Sequence, residues 1–214
     1  MGQTAFEQIR ETGVVSILRG IAEKDLEGTL AALYEGGVRA VEITLNTPGA
    51  LRMIERSREL YGDRMAVGAG TVLEAASARA AILAGADFVL APTLSLPMIE
   101  MCLTYGCLAI PGAFSPTEVL TAWQAGAQIV KVFPCGSVGP AYIKDLRGPL
   151  PQIRMMPVGG VTLDTTPAFF AAGACSVGVG SSLFDPRLAA EGRFDELRDR
   201  AASYIGLAKA RKVR

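Results

Sequence analysis

A lone lysine, Lys131, interrupts the apolar run Ile129-Val130-Lys131-Val132-Phe133. An unpaired ammonium is costly to bury, so its presence inside such a run needs a reason. Burial penalises the charged form and lowers the pKa, leaving free amine that can attack a carbonyl and form a Schiff base. The plain alternative is a strand-end lysine that snorkels to solvent, which Phe133 and Pro134 close behind it make awkward. Glu42, in Val41-Glu42-Ile43-Thr44-Leu45-Asn46, is the only acidic residue inside any strand-like apolar run. With Lys131 holding a substrate, Glu42 could relay protons, a carboxylate doing what imidazole does elsewhere. A buried Lys-Glu pair with no chemistry is the competing reading, although such pairs seldom stabilise a fold more than apolar replacements do.

Two glycine-containing turns, Gly159-Gly160 and Gly180-Ser181, follow the last two strand-like runs. Bare backbone N–H groups can approach an anion closely, so the two turns together suggest a phosphate site, whereas either alone is more simply a turn. Arg19, at the end of Val14-Val15-Ser16-Ile17-Leu18, could add a charged donor to the same anion or simply be solvated. Thr71 ends Val67-Gly68-Ala69-Gly70, a stretch so poor in side chains that something could need to approach its backbone; ordinary β-propensity explains the threonine equally well.

Composition removes whole classes of mechanism. The 214 residues contain no His, which excludes the Ser-His-Asp triad and an imidazole base. Four Cys, at 102, 107, 135 and 175, show no C-x-x-C spacing; they read as reduced, mostly buried thiols, and neither a metal nor a cofactor is expected. Lys+Arg and Asp+Glu balance at 21 each, which argues against a nucleic-acid partner. The one basic run, Lys209 to Arg214, reads as a solvated C-terminal tail. No apolar stretch approaches a membrane span, and MGQTAFEQIRETG lacks the apolar core of a signal peptide, so the expected location is cytoplasmic.

These residues must be positioned by repeated elements. Strand candidates begin near Val14, Ala40, Met65, Phe88, Leu108, Ile129, Met155 and Ser176, spaced on average about 23 residues apart, the length of a strand plus a crossover helix. Between them lie helical patterns such as LEGTLAALYEGG, ALRMIERSREL, EAASARAAILAGA and PTEVLTAWQAGA. Eight β-then-α units without a linker argue for parallel strands, in a closed barrel or an open doubly wound sheet. The count favours a compact (β/α)₈ TIM barrel, residues 1–214 as a single domain with short loops. Glu42, Thr44 and Asn46 then share one face of their strand, and within an apolar helical jacket that face must point inward.

Taken together, VEITLN at 41–46, VGAGTVL at 67–73, KVFP at 131–134, PVGG at 157–160 and GVGSSL at 178–183 resemble the 2-keto-3-deoxy-6-phosphogluconate (KDPG/KHG) aldolase family. The motifs run in order through nearly the whole chain. The resemblance implies a metal-free class I aldolase on a (β/α)₈ barrel, a homotrimer, interconverting a phosphorylated 2-keto-3-deoxy sugar acid with pyruvate and glyceraldehyde 3-phosphate. It implies Lys131 as the Schiff-base lysine and Glu42 as the proton shuttle. By the same pattern Thr71 meets the pyruvyl carboxylate, Phe133 walls the pocket, and Gly159, Gly160, Gly180 and Ser181 hold the phosphate.

Two departures refine this. Where gluconate-specific members carry Arg in T-L-R-T, this chain has Asn46, and where they carry P-T-G-G it has Val158. Both, with ILRGI at 17–21 and GPAYIK at 139–144, look like the galactonate branch, in which Arg19 is expected to contact substrate. Val158 would then lie near C4, the carbon at which the galactonate and gluconate substrates differ. The gluconate enzyme is the nearest alternative; a phosphate-binding isomerase or epimerase barrel and a non-catalytic barrel that binds a sugar acid are more distant ones.

Overall fold

The computed structural model describes residues 3–211. Nine parallel strands are present among them: β1 Val14–Leu18, β2 Ala40–Thr44, β3 Ala66–Gly70, β4 Phe88–Leu90, β5 Leu108–Ile110, β6 Gly112–Ala113, β7 Val130–Val132, β8 Met155–Pro157 and β9 Val177–Val179. Eight of their starts, all but that of β6, fall within one residue of the periodic positions expected for the eight units. A curled six-stranded sheet runs β5-β4-β3-β2-β1-β9, and a three-stranded sheet runs β6-β7-β8. The fifth expected strand is divided, because Pro111 has no N–H and interrupts the ladder between β5 and β6. On one side Ile110 O accepts from Ala91 N at 3.1 Å; on the other Pro111 O accepts from Lys131 N at 2.9 Å. A single parallel bridge, Val158 to Gly178, lies between the β8 and β9 segments.

Alternation along the strands sorts apolar residues into two clusters on opposite faces. The outer one joins Val14, Leu18, Val41, Ile43, Val67 and Val89 to the helices, among them α2 Leu26–Glu35, α3 Ala50–Tyr61 and α4 Ala75–Leu83. The inner one holds Val15, Ile17, Ala40, Phe88, Leu90, Ile110, Ile129, Met156 and Val158. Glu42 and Lys131 have the inner parity, beside Ala40 and Ile129. Both lie toward the C-terminal ends of their strands, beyond the apolar floor.

That floor is sealed by a helix the strand periodicity does not reveal, α1 Ala5–Thr12, opened by a Thr4–Glu7 capping box. Ile9 and Phe6 pack into the inner cluster. Gln8, 4 % exposed, pins α1 to β3: its Oε1 accepts from Ala66 N at 2.6 Å and its Nε2 donates to Asp63 O at 2.7 Å.

After α5 Leu96–Thr104, α6 Pro116–Gln124, α7 Gly139–Arg147, α8 Thr166–Ala171 and α9 Pro186–Ala190 comes the longest helix, α10 Phe194–Lys209, packed on α2 and α8. Here the reading of Lys209 to Arg214 as a solvated tail is corrected for Arg211. Its guanidinium donates to the carbonyls of Arg10, Glu11 and Ala208 and lies over the Phe170 ring, because the C-terminal carbonyls of α1 attract a cation. Residues 212–214 of that run lie outside the described residues. No described helix is long and apolar enough to cross a membrane. Cys102, Cys107 and Cys135 are buried, Cys175 is half-buried, and all four are unpaired.

Candidate active site

The inner face carries two buried ionisable groups near its C-terminal rim. Lys131, on β7, is 6 % exposed and sits between Gly112 of β6 and Met156 of β8 in register. Its Nζ lies 4.8 Å from the centroid of the Phe133 ring. Burial depresses its pKa; the positive charge of Arg19 adds to the effect, and the Glu42 carboxylate opposes it. Glu42, on β2, is 1 % exposed. Burial pushes its carboxyl up to about 7 against the pull of Lys131 and Arg19, and its Oε2 has no hydrogen-bond partner among the described residues. The two groups act on each other through the field rather than through a hydrogen bond, so each is charged only at a cost. An amine and a carboxyl whose pKa values are driven toward each other are suited to exchanging protons with a bound molecule.

The side-chain-poor strand β3 explains where Glu42 can sit. A Cβ at Gly70 would overlap the Glu42 carboxylate, and one at Gly68 would overlap the Phe88 ring. What approaches the glycine backbone is the protein's own carboxylate and its own aromatic floor.

A cavity of about 320 Å³ opens at the same end. Arg19, Phe133, Val158, Gly159, Gly160, Gly180 and Ser181 all line it. Gly159 and Gly160 have φ of 86° and 69°, a left-handed pair that only glycine adopts cheaply, and a Cβ at Gly159 would fall 3.5 Å from the Phe133 ring. Thr71 is the one non-glycine residue with positive φ, 58°, among those described, a conformation costing about 1–3 kcal/mol and typical of functional positions. Its Oγ1 accepts from Arg19 Nη2 at 3.4 Å, which brings the β3 loop to the cavity wall.

Seven of the ten site residues expected from the sequence line the cavity, and Thr71 joins them through Arg19; Lys131 and Glu42 are outside the lining, Lys131 next to it through the Phe133 ring 4.8 Å from its Nζ. Asn46, in place of the expected arginine, is exposed and outside the cavity lining.

Several lining residues carried no signal of their own in the sequence. Ile17 and Gly178 stand in ILRGI and GVGSSL with no role of their own; a Cβ at Gly178 would fall 2.6 Å from Val158 Cγ2. Ser182 and Phe184 come from the turn after β9. Thr47 also went unread: its Oγ1 accepts from Gly20 N and contacts Thr44 Oγ1, both at 3.0 Å, and so ties the loop bearing Arg19 to the end of β2.

The family model for KDPG and KHG aldolase matches residues 6–199. The 2-dehydro-3-deoxy-6-phosphogalactonate aldolase of Escherichia coli K12 is 37% identical over 172 residues, covering 80% of this chain and 84% of that protein. A probable enzyme of the same name from Rhizobium meliloti is 36% identical over 196 residues, 91% of each chain. The 2-dehydro-3-deoxy-phosphogluconate aldolase of Pseudomonas aeruginosa is 36% identical over 163 residues, 76% of this chain and 74% of that one. Among solved structures, one described as native KDPGal superposes with a TM-score of 0.86 at 33% identity, covering 92% of this chain and 94% of that one.

Proposed function

The chain belongs to the KDPG and KHG aldolase family, and from that premise we propose that it cleaves 2-dehydro-3-deoxy-6-phosphogalactonate reversibly to pyruvate and glyceraldehyde 3-phosphate. The observation that carries the reading is the pair Lys131 and Glu42, both buried on the inner face of the strands with their pKa values pushed toward each other. Arg19 and Val158 on the cavity wall, with Asn46 outside it, support the galactonate over the gluconate substrate.

In this mechanism the Lys131 amine attacks the C2 ketone and water leaves, giving a protonated imine. Glu42 then takes the C4 hydroxyl proton, the C3–C4 bond breaks, and its electron pair flows into the iminium as an enamine. Glyceraldehyde 3-phosphate departs. Protonation at C3 and hydrolysis release pyruvate and restore the amine. Thr71 and Arg19 are the donors we assign to the pyruvyl carboxylate, since Asn46 leaves no guanidinium after β2. Phe133 walls the imine. Gly159, Gly160, Gly180 and Ser181 receive the phosphate through backbone N–H groups at the opposite side of the cavity, where glycines leave the backbone open.

We take residues 1–214 as one aldolase domain, and closure into a (β/α)₈ barrel as its architecture. The reading of β5 and β6 as halves of one strand split at Pro111 supports closure, as does the Val158–Gly178 bridge. A cytoplasmic homotrimer is the assembly we propose; exposed Leu96, Leu103, Tyr105, Phe114 and Leu120 around α5 and α6 would supply apolar contacts. Steady-state cleavage of the two C4-epimeric 6-phospho substrates side by side tests the function: faster turnover of the galactonate epimer is expected, and no cleavage of either overturns it.

A further inference from the structure

We propose that Ser182 is a positioning residue for the substrate phosphate, its hydroxyl latching the loop after β9 to the loop after β8. The proposal rests on the aldolase reading and deepens it.

The last backbone pairing between these two segments is the Val158–Gly178 bridge. Beyond it the chain runs through Gly159 and Gly160 on one side and Gly180 on the other, and a Cβ at Gly180 would meet nothing within 4 Å. Nothing in those residues sets the spacing of the two loops. Ser182 does: its Oγ donates to Val161 O at 2.6 Å, across 21 residues of sequence. Both residues line the cavity, so the bond closes the rim that Gly160 and Ser181 share. The turn carrying Ser182 is itself held, since Leu183 N and Phe184 N both donate to Gly180 O at 2.9 Å.

A serine hydroxyl has one proton, and here it is spent on a carbonyl. A phosphate dianion offers only acceptors, so Ser182 in this geometry has no proton left to give it. Its influence passes through the distance between the two sets of backbone N–H groups. Lys131 is not among the residues that line the cavity, so its chemistry does not depend on that distance. The latch therefore predicts a loss confined to the phosphate end.

The test compares wild type, Ser182→Ala and Ser182→Cys in three assays: cleavage of the 6-phospho substrate, inhibition by inorganic phosphate, and borohydride trapping of the pyruvate adduct. Loss of one hydrogen bond predicts that Ser182→Ala raises KM and the phosphate inhibition constant about tenfold, with adduct formation unchanged. Ser182→Cys, a weaker donor, should fall between alanine and wild type. Unchanged KM in the alanine variant overturns the proposal, as does an equal loss of adduct formation, which would mean general damage. If the alanine variant does not fold, the cysteine variant decides: a raised KM supports the latch and an unchanged one overturns it. A wild type that cleaves neither epimer and forms no adduct would instead defeat the aldolase reading itself.

Discussion

The carboxylate of Glu42 occupies the space that a side chain at Gly70 would fill, one strand over. The carboxylate and the glycine are thus one device, in which β3 gives up its side chain so that β2 can bury a charged group on the inner face.

Gly70→Ala should therefore displace Glu42 and cut kcat by about 10²-fold or more, the scale of a mispositioned acid/base. Gly68→Ala, whose Cβ would overlap the Phe88 ring, should cost about 1–3 kcal/mol of stability by overpacking and leave the turnover of the folded fraction intact. Steady-state rates and urea unfolding of both variants separate the two effects; equal kcat losses would disprove the distinction.

Glu42→Gln should keep the fold and lose turnover by about 10²- to 10⁴-fold. It should also reveal the cost of burying the charge. The carboxyl titrates near 7 in the fold against 4.5 for its ordinary value, so the folded protein holds an extra proton between those limits. The wild type then loses stability as pH rises from 4.5 to 7, by roughly 3 kcal/mol at most. The glutamine variant carries no such charge and should gain on wild type as pH rises from 5 to 8. Urea midpoints at those two pH values check the sign; a variant that loses ground at pH 8 contradicts it.

Pyruvate plus borohydride should inactivate the enzyme irreversibly and leave a reduced pyruvyl adduct on Lys131, since hydride captures only an imine. Peptide mapping that places the label on Lys144, or finds none, removes Lys131 from its assigned role. Activity should withstand exhaustive EDTA treatment, because a chain without His has few ligands for a catalytic metal. Activity lost to EDTA and restored by a divalent ion would count against a Schiff-base mechanism.

Val158 lines the cavity with its Cγ2 turned toward the bare backbone of Gly178, close to Ile17. An apolar wall distinguishes near-isosteres by only about 1–3 kcal/mol, so wild type should prefer the galactonate epimer by no more than roughly one to two orders of magnitude in kcat/KM. Val158→Thr places a hydroxyl where C4 is expected and should move the ratio toward the gluconate epimer without changing pyruvate adduct formation. An unchanged ratio would place the discriminating contact elsewhere.

Sequence by itself determined the parts whose signal is local. A lysine and a glutamate embedded in β-branched runs stand out because burying charge is costly, and the two-residue alternation of VEITLN assigns Glu42 to the inner face without coordinates. The recurrence of strand and helix patterns located the starts of the eight expected strands to within a residue, and the glycine turns after the last two marked residues that line the cavity. Only the tertiary structure decided the relations between segments far apart in the chain. That the glycines of β3 accommodate Glu42 and Phe88 depends on parallel register between neighbouring strands, which no local pattern encodes. The same holds for α1 as the floor, for Arg211 capping α1 from 200 residues away, and for Ser182 reaching Val161. Each is a polar or packing contact that exists because folding brings two ordinary residues together, and its energy belongs to the pair rather than to either residue's place in the sequence.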